Sequence, residues 1–496
     1  MFIFIVIADY IILNDYFRMY SFRKIMGEIA GRWDEQKRLK ELLVSSKSEF
    51  LTIYGRRRIG KTFLIRKTFE KEISFQTTGI SDATMNQQLI NFFTDLKSVN
   101  PKLSDKDLPK DWFSAFELLK AYLSSKKSKK KIVFIDELPW YDTPRSNFLK
   151  SLEHFWNSWA SSRNDVILIV CGSAASWIIN KLINNKGGLH NRVTQRIRLL
   201  PFTLQETEDY FKRKKIRLDR YQIVQLYMAI GGIPFYLDEV KPGMSAFQVI
   251  DKICFSLDGL LVNEYGKLYH SLFNSADRHI AIIEALASKK KGLTREEVIQ
   301  LSKIGNGGTA TKILEELEES GFISKYLPFE KKNRNSLYRL IDQYSLFYLK
   351  FMKDKKSSGE GAWLSRIDSP SWRAWSGYAY ENIWLMHIDK LKKGLGIEKV
   401  YTETSSWLNT QKGAQIDLLV DRRDQVISVC EVKFSQKPFV ITKAYKAEME
   451  NKLTVFKEVT GTVKTLFLTM ITTFGVEKNI HSNGFVQNEL TINDLF

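Results

Sequence analysis

The segment Gly55 to Thr62, GRRRIGKT, constrains this chain more than any other part of its sequence. It follows the β-rich run LTIY and precedes an amphipathic run to Lys71 that predicts a helix. A loop of this spacing between a strand and a helix is typical of phosphate binding, because its backbone N–H groups surround the phosphates and its lysine neutralises their charge. We therefore predict an ATP site. Its nucleotide-binding residues would be Gly55, Arg56, Arg57, Arg58, Ile59, Gly60, Lys61, Thr62 and Phe63.

Two acidic residues close the next apolar run. The run KIVFIDE, residues 131–137, predicts a buried strand that ends in Asp136 and Glu137. In a nucleotide-binding domain, an acid at this strand end holds Mg²⁺, and a second acid orients the attacking water. We therefore predict that Thr62 and Asp136 hold Mg²⁺, that Glu137 is catalytic, and that the chain hydrolyses ATP rather than only binding it.

Lys61, Ser173 and Arg192 complete the predicted catalytic set. Ser173 ends the third apolar run, DVILIVCGS, where it would contact the γ-phosphate or the water, or would simply favour a strand-to-loop junction. Arg192 follows a glycine-bearing polar stretch. It would supply positive charge to the transition state, from the same chain or from a neighbouring subunit, or it would be a solvated surface arginine.

Apolar strands alternate with amphipathic helices over the first 200 residues, which predicts an α/β fold with a parallel sheet covered by helices. Helical periodicity from Pro201 to about Leu261 predicts a helical lid. Residues 272–350 contain three predicted helices and a two-stranded hairpin, and Thr294 with Glu297 predicts a capping box. The predicted units are an N-terminal extension that is a start-site artefact or a packing strand (1–25), the ATPase core (26–200), the lid (201–270), the helix–hairpin unit (271–355) and a mixed C-terminal unit (365–496).

Eight segments in combination resemble one family. They are GRWDEQKRL, YGRRRIGKT, FIDELPWYDTP, LEHFWNSW, VCGSAASW, GGLHNRVTQRIRLLPF, GGIPFYL and YRLIDQYSLFYLKF. They are similar to the prokaryotic archaeal-type P-loop ATPases of the AAA+/STAND-related group, whose members join this ATPase to a winged helix and a nuclease-like domain. The resemblance implies that Gly31 and Arg32 lie near the adenine, that Arg192 is the arginine finger, and that residues 232–234 lie in the lid near the nucleotide. It also implies a winged helix-turn-helix at 271–355 and an α/β restriction-endonuclease-like domain at 365–496.

The C-terminal unit carries a second group of charged residues. Two predicted strands of one hairpin contain Asp417 on the first, and Glu431 and Lys433 on one face of the second. Two carboxylates and a lysine at a strand end suit Mg²⁺-assisted phosphodiester cleavage, and the pattern resembles the D…E-x-K core of the restriction-endonuclease-like fold. Glu381 on the preceding helix matches the family's extra acid. An ordinary cross-strand ion pair, or a nuclease fold that binds without cutting, remain alternatives.

The unit at 271–355 offers a route to double-stranded DNA. As a winged helix, it would place the helix around Lys312 in the major groove and the hairpin turn near the phosphates. Glutamates at 315, 316, 318 and 319 would repel a phosphate backbone over the second half of that helix, so protein docking is an equal alternative. The predicted DNA-binding residues are Lys312, Lys331, Lys332 and Arg334.

Composition supports nucleic acid as a partner. Lys and Arg number 75 against 56 Asp and Glu, a net charge of +19, although solubility alone would also explain this charge. The three cysteines are far apart and indicate a reducing compartment, and no membrane segment is predicted because Asp9 and Asp15 interrupt the apolar N-terminus. We therefore expect a cytoplasmic ATPase whose nucleotide state controls the DNA-facing units and whose further partner is a second copy of the chain or another protein. The alternative function is an ATP-switched scaffold that docks a protein partner without cutting nucleic acid.

Overall fold

The computed structural model of this chain describes residues 29–184, 188–189, 191–331, 335–353, 359 and 361–496. The predicted extension, residues 1–25, lies outside the described residues. The described residues fold into three sheets with helices packed around them.

Five parallel strands form the central sheet of the first unit, in the order β2-β3-β4-β1-β5. The strands β1, β3 and β4 are buried along their whole length, because helices cover both faces of the sheet. This confirms the predicted parallel α/β core. In chain order its elements are α1 (Trp33–Val44), β1 (Glu49–Tyr54), α2 (Lys61–Thr68), β2 (Ile73–Thr78), α3 (Met85–Val99), α4 (Trp112–Ser125), β3 (Lys131–Asp136), α5 (Phe148–Phe155), β4 (Val166–Gly172), α6 (Ala175–Ile178) and β5 (Gln195–Arg198).

The carboxyl ends of β1, β3 and β4 meet at one edge of this sheet. That edge carries the glycine-rich loop after β1, the acidic pair at the end of β3 and Ser173 just beyond β4. Ligands of open parallel sheets bind at this edge, because the loops that follow the strands converge there.

The chain is helical after the sheet, as its periodicity predicts. Thr203 begins the first of these helices with a capping box to Glu206, which satisfies two backbone donors of the first turn. The helices are α7 (Leu204–Arg213), α8 (Arg220–Ile230), α9 (Pro234–Leu237), α10 (Ala246–Cys254) and α11 (Glu264–His270).

The helix–hairpin unit contains the predicted three helices and hairpin, together with a short third strand that joins the hairpin in the antiparallel order β6-β8-β7. The capping box expected of Thr294 and Glu297 is present: the Thr294 N–H donates to Glu297 Oε2 at 2.8 Å, and the Glu297 N–H donates to Thr294 Oγ1 at 3.2 Å. The elements are α12 (Ala276–Ala287), β6 (Leu293–Thr294), α13 (Arg295–Ser302), α14 (Gly308–Glu319), β7 (Ile323–Tyr326), β8 (Leu337–Leu340) and α15 (Gln343–Phe351).

The C-terminal unit is built on a mixed sheet in the order β13-β12-β11-β10-β9. Strands β9, β10 and β11 are antiparallel, whereas β12 and β13 run parallel to β11. Leu418 pairs with Cys430, so Asp417 and Glu431 occupy the next positions along the same register. The elements are α16 (Pro370–Met386), α17 (Ile388–Gly394), β9 (Thr402–Asn409), β10 (Ala414–Arg422), β11 (Val426–Lys433), α18 (Lys443–Thr460), β12 (Thr465–Thr472) and β13 (Asn488–Leu490).

One continuous hydrophobic core joins these units, running from Ile29 beside the first sheet to Leu495 near the C-terminus. Aromatic residues connect the helical parts, and the rings of Phe255 and Trp363 are stacked with their centroids 5.4 Å apart. A second core lies under the other face of the parallel sheet. Among the described helices, none combines the length and apolar character needed to cross a bilayer.

Candidate functional site

The loop Gly55–Gly60 turns tightly between β1 and α2. Both glycines have positive φ, and a side chain at Gly55 would place its Cβ 2.3 Å from the carbonyl oxygen of Leu199. The buried Lys61 ammonium lies across the loop and donates to the carbonyl oxygens of Gly55 and Arg56 at 2.8 and 2.9 Å. A lysine in this position brings a positive charge to the place where backbone N–H groups surround a phosphate.

Thr62 and Asp136 meet beside this loop. The Thr62 hydroxyl donates to Asp136 Oδ2 at 2.7 Å, and Asp136 is the last residue of β3 and is buried. A hydroxyl and a carboxylate next to a phosphate-binding loop are oxygen ligands of the kind that Mg²⁺ prefers, so these two residues fit the ion.

Glu137 is held in place by Ser173. The Ser173 hydroxyl donates to Glu137 Oε1 at 2.7 Å, its backbone N–H donates to Oε2 at 3.2 Å, and the Lys61 ammonium donates to the same hydroxyl at 3.1 Å. Glu137 has a φ of 46°, an unfavourable backbone conformation for a residue with a side chain. The four residues Lys61, Asp136, Glu137 and Ser173 therefore lie close together where the sequence predicts a catalytic site.

A cavity of about 900 Å³ opens beside these residues, between the loop and the helices α7 and α9. Pro234 and Phe235 of α9 contribute to its wall, as expected of the lid segment. Arg32 also lines it, and this buried guanidinium donates to the carbonyl oxygen of Leu200 at 2.5 Å. The predicted binding residues that line the cavity are Arg32, Arg57, Arg58, Ile59, Gly60, Lys61, Thr62 and Phe63.

Gly31 does not line this cavity. Its φ is +58°, and a side chain there would place Cβ 2.6 Å from Cγ of Glu206. The glycine is therefore required by close packing against Glu206, whose carboxylate accepts the Arg32 backbone N–H at 2.7 Å. That Gly31 lies near the adenine stays a prediction, since its neighbours Ala30 and Arg32 both line the cavity.

The three loop arginines contact three different parts of the molecule. The Arg56 side chain does not line the cavity, so binding of nucleotide by Arg56 stays a prediction for its backbone N–H group. The side chain forms a buried ion pair with Asp342, which begins α15. Arg57 lies over the ring of Trp140 at 5.6 Å. Arg58 pairs with Glu264 of α11 at 2.5 Å and covers the ring of Phe235 at 4.5 Å.

The buried Arg56 is fixed from both sides. Its guanidinium lies 4.7 Å from the centre of the Phe322 ring. Burial opposes its positive charge, but the adjacent Asp342 carboxylate raises the pKa of Arg56 above its usual value. Its Nε and Nη2 have no hydrogen-bond partner among the described residues, so Asp342 provides the main compensation for this charge.

Arg192 lies at the amino ends of the parallel strands, opposite the phosphate loop. It precedes β5, and the backbone N–H of Thr194 donates to the carbonyl oxygen of Phe50 near the start of β1, at 2.9 Å. Because β1 and β5 are parallel, Arg192 is separated from the phosphate loop by the length of β1. A role for Arg192 at the nucleotide of its own chain is therefore wrong, and an arginine finger acting on a neighbouring subunit remains a prediction.

The structure brings the predicted nuclease residues together in a cleft of about 370 Å³. This cleft is lined by Glu381, Asp417, Glu431 and Lys433. Lys433 Nζ lies 2.7 Å from Glu431, and Asp417 accepts a hydrogen bond from Gln415 at 2.5 Å. No group of three acidic, histidine or cysteine residues suited to a metal occurs in the part of the chain that the structure describes. The acids therefore lie together in the cleft, but their carboxylates already contact donor side chains.

Glu381 is mostly buried and pairs with an arginine of the helix–hairpin unit. The Arg339 guanidinium donates to Glu381 Oε1 at 2.6 Å. Burial raises the pKa of the Glu381 carboxyl, whereas Arg339 acts to lower it. This ion pair connects β8 of the helix–hairpin unit to α16 of the C-terminal unit.

The hairpin turn contacts the C-terminal sheet. The backbone N–H of Phe329 donates to the carbonyl oxygen of Ser406 at 2.8 Å, and its ring lies 5.2 Å from that of Phe456. Lys331 lines a cavity at this contact. Lys312 is exposed on α14, whereas Lys332 and Arg334 lie outside the described residues. The described part of the turn therefore contacts the C-terminal sheet through Phe329, while Glu330 and Lys331 are exposed.

Sequence reasoning missed the partners that hold these sites. They come from segments remote in the sequence. Apart from the basic run at residues 289–291, these segments carry no local motif that predicts a site. The partners are Glu264, Lys290, Lys291, Arg339, Asp342, Arg373, Gln415 and Lys452.

One family of protein domains matches the first half of the chain, and one known protein is similar over most of its length. Residues 30–240 match the family described as an ATPase domain predominantly from Archaea. The uncharacterized protein MJECL04 of Methanocaldococcus jannaschii is 25% identical over 423 residues, which cover 84% of this chain and 90% of that protein.

Two solved structures are also similar. The Walker-type ATPase PABY2304 of Pyrococcus abyssi has 17% identity and a TM-score of 0.45, covering 65% of this chain and 96% of that chain. The ORC2 protein of Aeropyrum pernix, solved in ADPNP–ADP complexes, has 15% identity and a TM-score of 0.39, covering 65% of this chain and 93% of that chain.

Proposed function

We propose that this chain, whose residues 30–240 are a P-loop ATPase domain, hydrolyses ATP with Glu137 and passes its nucleotide state to a nucleic-acid-binding C-terminal half. The observation that carries the ATPase part is the network in which Ser173 connects Lys61 to Glu137, while Thr62 contacts Asp136. These contacts bring a phosphate-binding cation, a pair of metal ligands and an acid to one edge of the sheet.

The loop and its neighbours supply the parts that phosphoryl transfer needs. Backbone N–H groups of Gly55–Gly60 hold the phosphates, and Lys61 exchanges its carbonyl contacts for phosphate oxygens. A Mg²⁺ ion bound by Thr62 and Asp136 would neutralise phosphate charge. Glu137 accepts a proton from the attacking water and orients that water, and Ser173 holds the carboxylate in the required direction.

The arginines of the loop connect this chemistry to the rest of the chain. Arg58 contacts the lid through Glu264, and Arg56 contacts the start of α15 through Asp342. A loop that closes on phosphates shifts both ion pairs, because Arg56 and Arg58 lie within it. We infer that nucleotide binding changes the position of the lid and of the helix–hairpin unit by this route.

The proposed partner of the C-terminal half is double-stranded DNA, with nuclease action at the acidic cleft. The support is the excess of basic residues, the helix–hairpin unit with an exposed Lys312, and the convergence of Asp417, Glu431 and Lys433 in one cleft. In this proposal residues 271–355 are a winged helix and residues 365–496 are a restriction-endonuclease-like domain.

The hairpin contact favours a second candidate function. Because Phe329 packs against the C-terminal sheet and the cleft acids are already paired, the two C-terminal units suit an ATP-switched scaffold that binds a protein partner or a second copy of this chain. The units would then serve assembly, and no strand would be cut.

Replacing Lys61 with alanine is expected to weaken ATP binding by roughly 10- to 100-fold, because a charge-assisted contact contributes about 1.5–3 kcal/mol. Titration of a fluorescent ATP analogue measures this change. The matched control is Lys71→Ala, which removes an exposed lysine beyond the end of α2 and should leave the affinity unchanged. Equal affinities for the wild type and Lys61→Ala would contradict the nucleotide site.

Double-stranded DNA is expected to stimulate ATP hydrolysis, with a stimulation that falls between 50 and 200 mM salt because phosphate contacts release counterions. Steady-state hydrolysis with and without a duplex, at both salt concentrations, tests this coupling. Hydrolysis that ignores DNA, combined with nucleotide-dependent oligomers in light scattering, would favour the scaffold. Loss of duplex cleavage in Asp417→Ala would favour the nuclease.

A further inference from the structure

Two cavities meet between the helix–hairpin unit and the C-terminal sheet. The larger measures about 530 Å³ and the smaller about 370 Å³, and both are lined by Lys291, Gln415 and Asp417. They therefore form one continuous depression, which we call the junction groove. It extends from the hairpin turn at Lys331 to the acids at Glu431.

We propose that the junction groove binds a single strand of nucleic acid, with its phosphates against lysines of the helix–hairpin unit and its bases against aromatic side chains. This inference rests on the nucleic-acid part of the proposed function, replaces the duplex with a single strand as the ligand of this groove, and is independent of ATP hydrolysis. In this proposal the helix–hairpin unit and the C-terminal unit together form one binding site, which includes Lys290 and Lys291.

The charge of the groove suits phosphates despite its acids. Four of its cations form no ion pair with any residue in the described ranges: Lys290, Lys291, Lys331 and Arg373. Three of the acids have cationic partners. Glu381 is paired with Arg339, Glu431 lies within 2.7 Å of Lys433 and 3.6 Å of Lys452, and Glu297 lies 3.6 Å from Lys289. Glu330 and Asp417 also line the groove and form no ion pair with a described residue. Because these four unpaired cations outnumber the two unpaired acids, the net free charge that faces a ligand is positive.

The positions of these cations are fixed by neighbouring residues. Lys290 Nζ lies 5.6 Å from the centre of the Tyr378 ring, which holds the lysine against α16. The Tyr326 hydroxyl donates to the carbonyl oxygen of Lys291 and fixes the backbone there. Arg373 donates from Nε to the carbonyl oxygen of Asp368 at 2.9 Å, which leaves its other nitrogens for an anion.

A buried donor also faces the groove. Arg339 lines the larger cavity and is only 4% exposed, and its Nε has no hydrogen-bond partner among the described residues. Its Nη2 is occupied by Glu381. A buried N–H without a partner is unfavourable, and a ligand oxygen or a bound water in the groove would satisfy it.

Aromatic rings line the same groove. Tyr326 and Phe329 line the larger cavity and are partly exposed, whereas Trp407 and Tyr378 are buried and offer no free face. Unpaired bases stack on aromatic side chains beside a basic channel, which is how proteins bind single strands without reading sequence. Paired bases are stacked on one another and offer no free face, so these rings favour a single strand over a duplex.

The test is the affinity for a fluorescein-labelled oligothymidine of 20 nucleotides, measured by anisotropy at 50 and 200 mM salt. The double substitution Lys290→Glu/Lys291→Glu is expected to weaken binding at least tenfold and to reduce its salt dependence, because two phosphate contacts become repulsions. The matched control, Lys126→Glu/Lys127→Glu, makes the same charge change at two exposed lysines of the ATPase core and should change the affinity less than threefold.

Two further measurements separate this inference from the ATPase proposal. The groove variant should keep wild-type ATP hydrolysis in the absence of nucleic acid, and Lys61→Ala should keep its affinity for the oligonucleotide. Equal losses in the groove variant and the control would overturn the proposal, since binding would then follow net charge alone. Binding of a 20-base-pair duplex more tightly than the single strand would overturn it as well.

Discussion

Replacing Glu137 with glutamine is expected to slow ATP hydrolysis by a factor of about 10²–10⁴ while leaving ATP affinity nearly unchanged, because a positioned general base contributes that factor to the rate. Glutamine preserves the size of the side chain and one of its two hydrogen bonds from Ser173, but it cannot accept the proton of the attacking water. Lys61, Thr62 and Asp136 are untouched, so the phosphates and the metal keep their ligands. Single-turnover hydrolysis with radiolabelled ATP measures the chemical step without product release.

Two variants make this prediction specific. Glu117→Gln changes an exposed acid on α4 and should hydrolyse ATP at the wild-type rate. Ser173→Ala removes the hydroxyl that donates to Glu137 at 2.7 Å, and it should slow hydrolysis less than Glu137→Gln does because the carboxylate remains. A wild-type rate in Glu137→Gln would remove this residue from the mechanism.

Replacing Asp342 with alanine is expected to lower the free energy of unfolding by about 3–5 kcal/mol, because it leaves the buried Arg56 cation uncompensated. Asp342 also accepts the Ser345 backbone N–H at 2.9 Å, and loss of this cap contributes about 1 kcal/mol of the change. Urea denaturation followed by tryptophan fluorescence measures the loss. We also expect weaker ATP binding, since Arg56 belongs to the phosphate loop.

Asp342→Asn separates the two contributions, because asparagine keeps a capping oxygen but removes the charge. It should retain most of the destabilisation. Asp105→Ala breaks an exposed ion pair with Lys97 and should cost less than about 1 kcal/mol. In Arg56→Met/Asp342→Asn, stability should recover relative to Asp342→Asn alone, because no buried charge remains unpaired. Equal stability of Asp342→Ala and the wild type would contradict the role assigned to this pair.

The ATP site could be predicted from the sequence because its residues are local. Gly55–Thr62 and the Asp136–Glu137 pair lie at the ends of strongly apolar strands, and parallel strands bring their ends together at one edge. Strands β2 and β5 could not be predicted in the same way. They are the two outermost strands of the sheet and are only partly buried, so neither has a continuous apolar run.

The partner of the Arg56 side chain could not be predicted from the sequence. Its position in the loop predicts contact with phosphate, but its side chain turns to Asp342, 286 residues later in the chain. The position of Arg192 could not be predicted either. Because β5 runs parallel to β1, Arg192 lies at the amino ends of these strands, whereas the nucleotide loop follows the carboxyl end of β1. Lys290 and Lys291 form part of a basic run that by itself predicts a solvated surface, and only the packing of the two units places them in the junction groove.

The sequence by itself determined the α/β core, the phosphate loop, the acidic pair after β3 and the hairpin that carries Asp417 and Glu431. These features depend on hydrophobic periodicity and on residues near one another in the chain, which act through short-range geometry. Only the tertiary structure decided which remote partners hold Arg56, Arg58 and Glu381, and that two units form the junction groove. Those contacts depend on how the units pack against one another, because long side chains find their partners by the balance of burial and charge rather than by spacing in the sequence.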